Sequence, residues 1–351
     1  MSGSTVDSTV LDIDRAAVAA VVAEHPDGPT ELRDVSVISV GASNRMYRLE
    51  TDRGPLVLRV PPPTKVSKSA HDMVREGRVL RALERTAVPH ARPLVVGTDD
   101  SPLGSQYLLM ELVDGINLRW DGPRYEPGAV RDMALRTIDV LAEIGRVDWR
   151  AAGLEGFGRP EGFLERQVGR WTGQLAQYRS RELPGIDELA GWLETHRPAG
   201  AETGLMHGDF TFANVMLRPG GPDSPAVVTA VVDWEQATIG DPLVDLGWLV
   251  GLWAHADEEP AATAPGGHWV TQLPGMPTRT EIVERYALAS GRDVSAIGYY
   301  QALALFKLAV VLEGNYAKVV RGESRHPHHR DFEWMVPQLI GTALDAAQGR
   351  R

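Results

Sequence analysis

The chain has 351 residues, 36 basic against 47 acidic for a net charge of −11, and no cysteine. This composition excludes disulfides, thiol chemistry and cysteine-ligated zinc, and argues against nucleic acid as a partner. Hydrophobic residues make up 43% and charged residues 24%, as in a globular chain large enough for two lobes with a real core; no basic-then-apolar leader and no run of about 18 apolar residues is present, so the reading is cytoplasmic, with no membrane span.

After a leading helical segment, short β-type runs are expected at 35–40, 46–51 and 56–60. Gly41, Ala42, Ser43 and Asn44 separate the first two runs, and Pro61 to Pro63 stop the third. Ser43, Asn44 and neighbouring backbone N–H groups suit phosphate oxygens, although a one-glycine loop also reads as a plain hairpin turn. Ser69 looks like the N-cap of a helix over 69–85. Met73, Leu80 and Leu83 share its apolar face with Glu76. A carboxylate on that face needs a cation, and the residue in frame is Arg59 on the third strand. In kinases that cation also binds the α and β phosphates. Runs at 94–96 and 107–111 complete the sheet. Backbone groups at Met110, Glu111 and Val113 would then meet an adenine edge at a hinge.

Beyond the Asp114-Gly115 turn the pattern becomes helical, with helices expected at 130–147, 163–178, 186–196, 279–290, 299–321 and 332–347. The predicted fold class is α+β: a two-lobed, protein-kinase-like chain with a small β-rich N-lobe over 1–113 and a larger helical C-lobe over 114–351.

Between those helices lies LMHGDFTFANVML, followed by AVVDWEQATIGDPLVDLGWL. An Asp and an Asn spaced D-x-x-x-x-N, then a second Asp after an apolar strand, is the arrangement kinases use. Asp209 would orient the attacking hydroxyl, while Asn214 and Asp233 would hold Mg²⁺ against the phosphates of ATP. Phosphoryl transfer needs hard oxygen ligands and a carboxylate facing the nucleophile. His-Gly-Asp alone would be a turn, but flanking apolar runs at 203–206, 215–217 and 226–232 place the two loops on short strands. Only eleven residues separate Asp233 from Asp245, too few for the activation segment of a protein kinase.

With GASNRMYRL, LVLRVPPP, HDMVREGRVLRAL, MHGDFTFANVML, VVDWEQATIGDPLVDLGWL and FKLAVVLEGNYAKVVRG in hand, the chain resembles the aminoglycoside phosphotransferase and choline kinase-like superfamily. Its wording is most similar to the branch linked to acyl-CoA dehydrogenases. The resemblance implies Asp209 as catalytic base, Asn214 and Asp233 as magnesium ligands, and Glu76 as partner of the phosphate-binding cation. It also implies structural roles for His207 and Asp245. The family's usual cation is Lys, and here Arg59 replaces a point donor with a planar fork.

The implied function is ATP- and Mg-dependent transfer of a phosphoryl group to a hydroxyl of a small molecule. A hydroxyacyl-CoA would call for Arg or Lys near the cleft, with Arg279, Arg285, Lys307, Arg321 and Arg325 as candidates. An aminoglycoside, a polycation, would call for carboxylates such as Asp257 to Glu259 in a loop over 254–277. The third reading is a nucleotide-binding pseudokinase, motivated by Arg59.

Overall fold

Short apolar or alternating runs in the N-terminal third become sheet. The computed structural model describes residues 13–25, 28, 31–40, 44–62, 72–200, 202–221, 224–255, 270–324 and 326–350. Ser43, Lys65, Lys68, Ser69, Arg325 and the acidic run 257–259 lie outside the described residues. The chain sorts into two compact units, one of Met1–Asp114 with Ala230–Glu235, the other of Gly115–Thr229 with Gln236–Arg351.

In the first unit, α1 (Arg15–Ala23) begins at Asp14, whose side chain accepts from the Ala16 amide. The strands are β1 (Leu32–Val40), β2 (Arg45–Thr51), β3 (Gly54–Val60), β4 (Pro93–Gly97) and β5 (Tyr107–Glu111). They form one antiparallel sheet in the order β1-β2-β3-β5-β4. Leu56, Leu58 and Val60 of β3 join Val18, Val21, Tyr47, Leu49 and Leu109 in one core cluster. Alternation then turns Val57 and Arg59 to the other face. On the sheet packs α2 (Met73–Leu83), against β4 and β5. Asp72 caps this helix, accepting from the Arg75 amide at 2.9 Å.

The second unit holds α3 (Leu118–Asp121), α4 (Pro127–Arg146), α5 (Glu165–Ala176), α6 (Ile186–Thr195), α7 (Leu243–Gly251), α8 (Arg279–Ser290), α9 (Ile297–Val320) and α10 (Phe332–Ala347). Between α6 and α7 run β6 (Gly204–Met206), β7 (Val215–Arg218), β8 (Val227–Val231) and β9 (Thr238–Gly240). β6 pairs antiparallel with β9, and β7 with β8. Three elements go beyond the sequence expectation. α3 is one turn of four residues. α7 is apolar on nearly every side and therefore shows no helical period, and β9 has only three residues.

α9 packs against α5, α6, α7 and α10, and most of its side chains are buried. Its one fully buried carboxylate, Glu313, is 0% exposed and accepts from Arg181 Nε and Nη2 at 2.7–3.1 Å. The same guanidinium caps the carbonyls of Phe332 and Glu333. Glu313→Ala should therefore cost about 3 kcal/mol, the lower end for breaking a buried pair, because Arg181 keeps 22% of its side chain in water. Urea unfolding measures this; a loss below ~1 kcal/mol would show that the two carbonyls alone satisfy Arg181.

Candidate active site

The first unit gathers an ion cluster around Arg59. Arg59 is 5% exposed, and its guanidinium pairs with Glu76, which is 1% exposed. A second nitrogen, Nη2, reaches Asp233 Oδ1 at 2.9 Å. The fork thus spans two carboxylates, which a lysine's single nitrogen does less readily. Glu76 also accepts from the Trp234 amide at 3.3 Å, and Asn44 Nδ2 donates to Glu235 at 3.2 Å. Asp233 has φ 68°, and it is the one non-glycine residue with positive φ among the described residues. Asp tolerates that conformation better than most residues, and such outliers concentrate at functional sites.

Three carboxylates, Glu76, Asp233 and Glu235, face one guanidinium. Burial pushes the Glu76 carboxyl up to about 7 against the pull of Arg59. The folded chain then holds a proton on Glu76 that the unfolded chain has already lost above about pH 4.3. Stability from this group accordingly falls as pH rises from about 4.5 through 7, as the buried carboxyl comes to ionise in the fold as well. Glu76→Gln should flatten that slope in metal-free protein. Parallel stability-versus-pH curves for parent and variant would refute the assignment.

Met110 and Glu111 close β5, paired with Val57 and Leu56 of β3. Glu111 is exposed and bonded to Arg92 at 3.0 Å. Val113 follows the end of the strand.

The second unit builds the His-Gly-Asp turn on β6. Asp245, at the start of α7 and 1% exposed, accepts from the His207 amide at 2.6 Å and the Gly208 amide at 2.9 Å. Burial pushes its carboxyl up to about 6, and the two amides pull it back. Gly208 sits at φ 85°, and a Cβ there would lie 2.4 Å from the Gln236 carbonyl oxygen; only glycine meets both conditions. His207 is fully buried, and its Nδ1 accepts the Asp209 amide at 3.3 Å, which puts the proton of the neutral ring on Nε2. Asn214 Nδ2 closes the loop on the Asp209 carbonyl at 2.9 Å, leaving Oδ1 as an acceptor. Asp209 and Asn214 are both half-buried.

Among the described residues, the four proposed phosphate-binding cations all have protein partners. Arg285 grips Asp139 at 2.6–2.7 Å, Arg321 grips Glu323 at 2.8–2.9 Å, and Arg279 donates to the Trp253 carbonyl. Lys307 donates to the Gly208 carbonyl at 3.3 Å. Sequence reasoning placed that lysine among ligand-binding candidates and missed this contact. Its one signal was a lone cation amid the apolar run LALFKLAVV.

Beside the turn lies a cavity of about 240 Å³, walled by Phe212, Ala213, Trp248, Leu249, Leu252, Val270 and Leu308. Arg119 is the one charged side chain among the described residues lining it.

Residues 34–279 match the family model for the phosphotransferase enzyme family. The chain belongs to that family. It is 31% identical over 325 residues to acyl-CoA dehydrogenase family member 10 of Mus musculus, covering 92% of this chain and 30% of the mouse protein. The chain thus spans less than a third of that relative's length. A crystal structure of a putative aminoglycoside phosphotransferase from Ralstonia eutropha superposes with a TM-score of 0.79 at 27% identity, covering 96% of this chain and 98% of the other. An aminoglycoside 2'-phosphotransferase-IIIa solved as its GDP complex shares the fold at a TM-score of 0.63 and 16% identity, over 94% and 98% of the two chains. The fold is accordingly the kinase-like fold of the aminoglycoside phosphotransferases, and family and fold support a kinase-type enzyme acting on a small molecule. Among the described residues no helix is long and apolar enough to cross a membrane.

Proposed function

We propose that the chain is an ATP- and Mg-dependent O-phosphotransferase that moves the γ-phosphoryl group to a hydroxyl of a small molecule. The observation that carries this reading is the Arg59 fork, anchored by buried Glu76 and turned toward Asp233. A guanidinium held in that way presents fixed charge to phosphate oxygens. The solved relative's GDP complex supports nucleotide use.

The donors fit a hard divalent cation. Asn214 keeps its amide oxygen for a ligand, and Asp233 offers a half-buried carboxylate. When bound, Mg²⁺ neutralises charge on the phosphates. Asp209 accepts the proton of the acceptor hydroxyl, on a turn held by His207 and Asp245. Arg59 binds phosphate oxygens, and the end of β5 at Met110, Glu111 and Val113 offers backbone groups to the base.

The cavity beside Phe212 and Ala213 favours an acceptor with an apolar body over a polycation, because its described lining holds no carboxylate and one arginine. A hydroxyacyl-CoA meets that requirement, and the likeness to an acyl-CoA dehydrogenase family member agrees with it. Purified protein with Mg-ATP and a panel of hydroxyacyl-CoAs, aminoglycosides, macrolides and amino alcohols tests both levels. Phosphorylation of an aminoglycoside and of no hydroxyacyl-CoA would reverse the acceptor assignment; no ATP turnover with any acceptor would favour the pseudokinase reading.

Arg59→Ala should raise the KM for ATP at least about tenfold and lower turnover, since it removes the cation and leaves Glu76 buried without one. Arg59→Lys keeps the charge and should stay within about tenfold of parent. An Ala variant with parent-like kinetics would move the phosphate-binding role to another residue.

A further inference from the structure

We propose that Lys307 is the positioning residue of the catalytic turn: from α9 its ammonium fixes the Gly208 carbonyl, and with it the plane of the Gly208–Asp209 peptide. The proposal rests on the reading above, in which Asp209 meets the acceptor hydroxyl.

Asn214 Nδ2 holds the Asp209 carbonyl, and the contacts before it in the turn lie on the amide side. Asp245 takes the His207 and Gly208 N–H groups, and His207 Nδ1 takes that of Asp209. The carbonyl of Gly208 belongs to the same peptide plane as the Asp209 amide, and Lys307 Nζ donates to it at 3.3 Å. A plane held at both its oxygen and its N–H cannot rotate, so the direction in which Asp209 leaves the backbone is set.

Lys307 is an unfavourable residue for packing alone. Its neighbours on α9, Phe306 and Leu308, are buried. Its ammonium lies 4.6 Å from the Trp248 ring centroid and 5.9 Å from that of Trp171. The charges that face it are Asp209 from the turn, Asp245 from α7 and Arg170 from α5. Burial pulls its ammonium below the usual lysine range, while Asp209 and Asp245 pull it back. An ammonium brought into such a site costs desolvation that methionine would not. A residue kept for packing would be apolar; this one places a donor and a positive charge beside two carboxylates.

The two roles separate in Lys307→Met. Positioning predicts a melting temperature equal to or above parent, a KM for Mg-ATP within about twofold, and a kcat lower by on the order of 100-fold, the cost of about 1 Å of misplacement. The assay is ADP release from Mg-ATP, with water and with hydroxydecanoyl-CoA as acceptors. Because the chain has no cysteine, Lys307→Cys carries its sole thiol. Aminoethylation of that thiol rebuilds a lysine-like ammonium, and propylthiolation supplies a neutral chain of similar length. Recovery of kcat by the aminoethyl group alone supports the proposal. Equal recovery by the propyl group, or a parent-like kcat in Lys307→Met, overturns it. If the parent releases no ADP the kinase reading fails, and amide hydrogen exchange then decides the clamp: protection at 207–210 lost in Lys307→Met and restored by aminoethylation supports it, and unchanged protection overturns it.

Discussion

Asp209→Asn should lower turnover by roughly 10²–10⁴-fold, the range spanned by a positioned general base, while Mg-ATP affinity stays within about threefold. The substitution is nearly isosteric. It leaves the Asp209 amide on His207 and the carbonyl on Asn214 Nδ2, because both contacts are made by backbone. What is lost is the carboxylate's capacity to accept the hydroxyl proton and the negative charge that orients the donor. A fall in kcat with ATP binding intact would mean that the group acts in the transition state and not in nucleotide capture. Calorimetry with Mg-ATP and steady-state ADP release measure the two halves. Parent-like turnover in this variant would end the catalytic assignment of Asp209.

Asp233 should fail in the opposite sense. Removing its carboxylate takes away a hard ligand and one of the two anions that Arg59 spans. The gain in ATP affinity on adding Mg²⁺ should then vanish, a loss exceeding the ~10–100-fold typical of deleting a metal's outer-shell partner. Asn is the better probe than Ala. Position 233 sits at φ 68°, where Asn is tolerated and Ala carries a steric cost of about 1–2 kcal/mol. Asp233→Asn separates charge from strain, and equal Mg-ATP affinities in parent and Asn variant would remove Asp233 from the metal site.

Much of the fold is legible because its elements carry a period or a short apolar run bounded by polar residues. Tyr107–Glu111, Arg279–Ser290 and Phe332–Ala347 have the ends that their sequence patterns give. α8 even displays a capping box, with Thr278 and Glu281 bonding each other's backbone. α7 is illegible for the converse reason: LVDLGWLVG is buried nearly all round, so no polar face marks it as a helix. The site divides along the same line. His207, Asp209, Asn214 and Asp233 lie in two short stretches whose spacing is itself the signal. The Arg59–Glu76 pair is readable from a carboxylate misplaced on an apolar helix face. Lys307 and Gly208, 99 residues apart, have no such local signature; a lone lysine in an apolar helix says that it needs a partner without saying which. The left-handed backbone of Asp233 and the Asn44–Glu235 contact likewise depend on tertiary placement that no window of sequence contains.

Residues Ala230–Glu235 belong with Met1–Asp114, although 115 intervening residues, Gly115–Thr229, belong to the other unit. Val231 donates to the Pro89 carbonyl at 2.9 Å, and Trp234 brings its amide to Glu76. During synthesis, therefore, the N-terminal unit emerges without its Ala230–Glu235 segment. The ribosome adds the 121 residues from 115 to 235 at about 5–20 per second, so the unit stays incomplete for roughly 6–24 s. Buried Glu76 has neither the Trp234 amide nor Asp233 nearby throughout that interval. A fragment cut at Asp114 would be arrested in the same condition, with Glu76 buried and short of the Trp234 amide.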